Sequence, residues 1–386
     1  DDASFEKTYL KDDEDPAWEI PLKSRSVNHG FSLNHCFAAI EDELFRNGQA
    51  LLNQMLKSAH GLDFPKIDRL DITHIQSGHV HGIFKIDCAC GNQVYALVAT
   101  VSRDPALNKN LVDDHEELTR LRELEAEAYG MDPFSKNFSN ICNIVPHVGV
   151  AFPEPELRRP AMYFAPFIDG AYELNLAFDL PEAGESRKTV IMNGQNQSRG
   201  ALSFDPESSS IVMTRIAILH LKYAYFGGRA IESSMRAGDF LLNPDTSKLW
   251  WHCYRDPVFM AKSISPNMFY FSLLSMADSL DKIDAMALQA LQLLLTSELG
   301  IMDNPLTSEL RPVYDAGEIL EAITCCFELG MINKDDLKRI IDCLKSYDAM
   351  ADSSFPLHHQ QLGKLKDGFI ARQKKLVSGL EEVFAA

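Results

Sequence analysis

Between residues 69 and 103 the chain changes texture, and that change restricts the possible folds more than any other feature. DRLDITHIQSGHVHGIFKID and NQVYALVATVSRD are rich in β-branched and aromatic residues, and CACGN between them carries turn chemistry. The pattern predicts a three-stranded antiparallel meander. A single helix follows, DDHEELTRLRELEAEAYG, with an acidic first turn and Gly130 at its end. Two further strands come next, NIVPHVGVAF and AMYFAPFI, separated by the turn PEPELRRP. The order is therefore three strands, a helix and two strands, which predicts an α+β fold.

The flanking segments have a different periodicity. Residues 1–30 read as an extended acidic arm, and residues 33–60 as one or two amphipathic helices. Residues 171–212 are polar and Gly/Ser-rich, the pattern of a long surface insertion, placed near 183–210. SIVMTRIAILHLKYAYFGG predicts a helix stopped by a glycine pair, and FLLNPDTSKLWWHCY, with its turn at NPDTS, a hairpin. From about 265 onward the pattern is helical, with breaks at Gly, Pro, Asn and Asp. No internal repeat is visible.

Composition excludes several function classes. The chain has 386 residues, 46% of them hydrophobic, enough for a large core. Asp and Glu total 55 against 37 Lys and Arg, a net charge of −18, so the average field repels nucleic acid. No apolar run reaches the ~18 residues of a membrane span. The acidic start lacks a basic-then-apolar leader pattern. Eight cysteines without framework spacing predict reduced thiols and a cytoplasmic location. The zinc-protease, nucleophile-elbow, Walker A and dinucleotide-binding motifs are absent.

With these segments in order, the chain resembles the protein-kinase-like superfamily, above all its aminoglycoside and choline phosphotransferase branch. QSGHVHGIFKI resembles the hairpin over the phosphates, with Gly78 and Gly82 at its turn, and NQVYALVATV the third strand. ELTRLRELEAEA resembles the lobe helix, and MYFAPFIDGAYELN the strand entering the hinge. AIESSMRAGDFLLNPDTSKLWWHCYR resembles the catalytic loop and the hairpin after it. The resemblance implies a two-lobed kinase-like fold: an acidic arm and helical extension over 1–68, a small lobe over 69–168, and a helical lobe with C-terminal helices over 169–386. It also implies an ATP site with Mg²⁺ between the lobes.

The resemblance fails at the charged positions. Ser234 stands at the catalytic Asp position and Asp239 at the metal-holding Asn position. The second metal-holding Asp falls on Cys253, and the phosphate-gripping Lys on Val98 or Ala99. Phosphoryl transfer depends on positioning and charge neutralisation, so these losses together remove its general base, its main Mg²⁺ ligand and one phosphate contact. They imply a degenerate kinase (a pseudokinase) acting as a regulatory or interaction module, with a protein partner, possible nucleotide binding, and no nucleic acid or membrane partner. The alternative is an atypical ATP-dependent phospho- or nucleotidyl-transferase rearranged around Asp239.

Each candidate has a plainer reading. Asp239 could hold a cation or open a hairpin as a Gly-Asp turn. Gly78 and Gly82 could admit phosphates or serve a turn needing positive φ. His79 and His81 with Cys88 and Cys90 would make a zinc site only with an unusual one-residue Cys spacing. Glu123, Glu125 and Glu127 read as one solvated acidic helix face. Arg255 and Asp256 read as a local ion pair or as a pocket cation in place of the missing Lys, and Trp250 and Trp251 must face opposite ways on a strand.

Overall fold

A computed structural model describes residues 6–10, 30–45, 50–62, 66–77, 81–154, 157–173, 190–192, 195–197, 206–231, 239–243, 246, 248–252, 280–302, 314–347 and 359–386. In chain order the elements are β1 (Glu6–Leu10), α1 (Leu33–Phe45), α2 (Ala50–His60), β2 (Arg69–Ser77), β3 (His81–Cys90), β4 (Gln93–Ser102), α3 (Asn108–Tyr129), α4 (Lys136–Ile141), β5 (Gly149–Ala151) and β6 (Met162–Pro166). There follow β7 (Tyr172–Glu173), β8 (Val190–Met192), β9 (Gln195–Gln197), α5 (Pro206–Gly227), β10 (Phe240–Asn243), β11 (Lys248–Trp251), α6 (Lys282–Met302), α7 (Ala316–Glu328), α8 (Lys334–Ser346) and α9 (His359–Ala385).

The predicted meander is present as β2–β3–β4, and the sheet continues through β6 to β5 in antiparallel pairs. Its other edge is new: β1, from the arm, pairs parallel with β2. Side chains alternate between the two faces of a strand. Phe84, Ala99 and Phe164 share one face across three strands. That outer face packs on α1 and α2 through Phe37, Ile40, Leu52 and Met55. The helical extension therefore covers the sheet on the side away from the large lobe.

The large lobe is built on α5, α6, α7, α8 and α9, whose apolar stripes form a second core with the β10–β11 ribbon. Leu118, Leu121 and Ala126 of α3 belong to this core rather than to the sheet's outer core. A small-lobe helix is thus built into the large lobe. It begins at Asn108, five residues before the acidic run suggests. Asp104 accepts from the Ala106 N–H (2.7 Å) and starts a short 3₁₀ turn (Pro105–Leu107) that runs into it.

Three sequence readings need correction. Gly82 lies inside β3, paired with Ser77 and Val101, and is not among the positive-φ glycines, so neither a turn nor left-handed backbone explains it. The zinc quartet fails on geometry. His81 and Cys88 are seven strand residues apart, roughly 23 Å. Cys88 is also sealed in the outer core, where burial drives its thiol pKa far up. Among the described residues no group of three or more His, Cys, Asp or Glu could hold a metal ion. The third correction is Glu125. It is 0% exposed, while Glu123 and Glu127 face solvent.

Candidate functional site

The inner face of the sheet looks toward the large lobe. On it, Lys85 lies opposite Val98, which lies opposite Ala165; one step along, Ile83, Thr100 and Tyr163 align. This alternation places the two residues at which the resemblance puts the missing lysine, Val98 and Ala99, on opposite faces. Val98 is on the inner face, whereas Ala99 is fully buried against α1 and α2. Both side chains are apolar.

The helix α3 runs beneath this face, and its buried carboxylates are all engaged. Asp114 accepts from the Tyr163 hydroxyl at 2.7 Å. Glu117 accepts from Arg120 at 2.7 and 3.0 Å and pairs with Arg229. Glu125 accepts from the Tyr223 hydroxyl at 2.8 Å and pairs with Lys222. Lys222 also donates to Asn143 Oδ1 (3.1 Å), and with Lys248 it reaches the last carbonyls of α4. Arg122, also buried, donates to the Ile144 carbonyl (2.7 Å), the Pro133 carbonyl and Ser139 Oγ. These bonds fix α3, the segment 142–148 and α5 as one body.

That body also carries the ribbon. The Trp251 N–H donates to the Asn143 carbonyl (2.6 Å), and the Val145 N–H to the Trp251 carbonyl (3.1 Å). His147, two residues on, stacks on Tyr163 with ring centroids 4.0 Å apart, and its Nδ1 lies 2.9 Å from His115 Nδ1. The meander and the ribbon are thereby joined through residues 143–148. Burial, followed by electrostatic coupling to His115, Arg122 and His252, holds the His147 pKa well below the ordinary imidazole range.

Asp239 opens β10 and is 1% exposed; its carbonyl accepts from the His252 N–H at 3.1 Å. The Asp239 and His252 positions thus meet at the open end of the ribbon, beneath the sheet. The approach to this point is fixed on the α5 side. Gly228 has φ 62°, and a Cβ there would lie 3.2 Å from the Leu280 carbonyl, so a side chain is strained on both counts. Three residues on, the Ile231 N–H donates to buried Gln289 Oε1 at 2.7 Å. Ser234, Cys253, Arg255, Asp256, His79 and Gly78 lie outside the described residues.

Two features of the site escaped the sequence reading. Glu125 carried a signal: it falls on the same stripe as Leu118 and Leu121 at helical spacing. Lys85 carried only half of one. Strand alternation puts Lys85 and Asp87 on one face, but only the sheet register shows that face to be the one opposite Val98.

No family model and no curated protein sequence matches the chain. Among solved structures, it is similar to a maize sucrose-induced receptor kinase domain bound to AMP-PNP, at 11% identity, 85% coverage of this chain, 99% of that chain and a TM-score of 0.35. It is similar to an aminoglycoside phosphotransferase from Alicyclobacillus acidocaldarius (11% identity, coverage 83% and 93%, TM-score 0.30). It is also similar to the Neurospora crassa complex of PAN2 with the PAN3 pseudokinase (9% identity, coverage 90% and 71%, TM-score 0.29). The order of elements and the strand pairing themselves give an α+β fold: a six-stranded sheet, antiparallel except for β1, with one helix, then a ribbon and a helical lobe, the arrangement that the sequence resemblance leads one to expect.

Proposed function

We propose that the protein is a degenerate kinase-like module that binds rather than transfers. It acts through a protein partner and retains nucleotide binding between its lobes. One observation supports this reading: every buried carboxylate of α3 is engaged by a structural partner, and Val98, to which the resemblance gives the phosphate-gripping position, is apolar. A nucleotide site normally concentrates charge at these two places, because phosphates must be neutralised and held. Here the charge on α3 serves to bind α3 to the sheet through Asp114 and to the large lobe through Glu117 and Glu125. Such an anchored helix suits a rigid scaffold. The net charge of −18 favours a basic partner surface and an association that weakens with salt.

A second reading keeps chemistry at Asp239. It is supported by the near-complete burial of this acid at the open end of the ribbon, where its backbone carbonyl accepts from the His252 N–H. In that case Asp239 would hold a cation or move a proton, and its removal would abolish turnover.

Thermal unfolding with ATP tests the nucleotide part. At a hundred times the Kd, a ligand specific for the native state adds about 2.7 kcal/mol of stability. A rise in Tm with ATP, graded with concentration, is the expected result. A Tm indifferent to millimolar ATP, with and without Mg²⁺, contradicts it.

A further inference from the structure

We infer that the cavity between α1, the end of β5 and the start of β6 receives an arginine side chain of the protein partner. The inference rests on the partner-binding reading above and gives that partner a point of contact.

The cavity has a volume of about 360 Å³, in the range of small-ligand pockets. Its α1 side belongs to the outer face of the sheet, opposite to the face that carries Val98. Glu43, Pro160 and Met162 line it from buried positions, whereas Glu154, Leu157 and Arg159 are exposed. The first three therefore form its floor and the last three its rim.

Glu43 breaks the pattern of its helix. Leu33, Cys36, Phe37, Ile40 and Leu44 form the buried stripe of α1, and Glu43, 8% exposed, is the charged member of it. The plain alternative is a residue at the edge of the core that tolerates burial. Packing alone favours a leucine there, which would fill space and avoid desolvating a carboxylate; the chain has a carboxylate and an opening instead. The two oxygens accept up to about four hydrogen bonds, so a contact within the chain leaves capacity for a ligand's donors.

Charge sets the sign of the ligand. Among the described lining residues the one cation is Arg159, and it lies 3.6 Å from Asp42 at the surface. An anion drawn in by Arg159 would meet Glu43 on the floor. A guanidinium pairs with a carboxylate through two parallel N–H donors, and its plane stacks on an aromatic ring. Phe152 supplies that ring, held edge-on to His115 with centroids 5.3 Å apart. The aliphatic stem has Met162 and Leu157 to lie against.

The full chain, labelled at its methionine methyls and titrated with N-acetyl-arginine amide under NMR, tests this; Met162→Leu identifies the reporting signal. A saturable shift at Met162 with a Kd of about 1–10 mM is expected, and none with N-acetyl-citrulline amide, which has the same shape without the charge. Glu43→Gln should weaken binding about tenfold, the effect of one charge-assisted hydrogen bond. If Glu43→Gln does not fold, Ala39→Phe fills the cavity from α1, leaves Glu43 in place and should abolish the shift. Acetyl-Gly-Leu-Arg-Gly amide should bind more tightly than the single residue, because a partner's segment also meets exposed Leu157. Free arginine binding as tightly as this peptide keeps a cation site but overturns the partner as its occupant. No shift in the wild type, or equal shifts with the arginine and citrulline amides, overturns the assignment and leaves the partner reading, which salt-sensitive association tests, in place.

Discussion

Lys222→Met should lower the unfolding free energy by about 3–5 kcal/mol, the usual effect of stranding a buried charge. The partner left behind is Glu125, 0% exposed on α3, which would keep only the Tyr223 hydroxyl. The change also removes a donor from Asn143 Oδ1 and from the end of α4, so the segment carrying His147 loses its support. Urea unfolding measures the loss. Lys222→Met with Glu125→Leu should recover much of it, since no isolated carboxylate remains in the core. A single-variant loss under 1 kcal/mol would mean that α3 is not held to α5 by this pair.

Acid should weaken the protein through His220. This α5 side chain is 1% exposed, packed edge-on to Phe240 (5.5 Å) and tilted against Trp251 (5.7 Å). Neither ring nitrogen has a hydrogen-bond partner among the described residues, and burial pushes its pKa down to about 3. The unfolded chain titrates near 6.5 and so takes up a proton that the native core refuses. Stability from this group is present above pH ~6.5 and falls by roughly 1.4 kcal/mol per pH unit below it, until about pH 3. His147, whose pKa is shifted in the same direction, adds to the slope. His220→Leu should therefore flatten the dependence between pH 6 and pH 4.5, and be neutral or stabilising at pH 7, because a buried imidazole without partners is lost. Parallel pH profiles for the variant and wild type would show that the ring is not buried in this way.

These two side chains also show where sequence reading stops. Strands β2 to β4, helix α3 and the β10–β11 ribbon were legible, because periodicity and turn chemistry are local. The parallel strand β1 was not, since Glu6 meets Arg69 only through long-range pairing. Glu125 looked like part of a solvated row with Glu123 and Glu127. Its partners Lys222 and Tyr223 come from a helix nearly a hundred residues later. The third-strand position fell on Val98 or Ala99, and only the register puts these two on opposite faces. The same distinction revealed Lys85 opposite Val98. Asp239 stands at the head of the ribbon, where its plainer reading as the opening of a hairpin puts it, and its burial depends on tertiary packing.

The account turns on binding having outlasted transfer. Its most direct test is incubation of the purified chain with γ-labelled ATP, Mg²⁺ and a mixture of protein and small-molecule acceptors, with label counted in every fraction. The expected result is no incorporation and no ATP turnover above a protein-free blank, in wild type and Asp239→Ala alike. Label transferred by the wild type and lost in Asp239→Ala would contradict it and make this an enzyme.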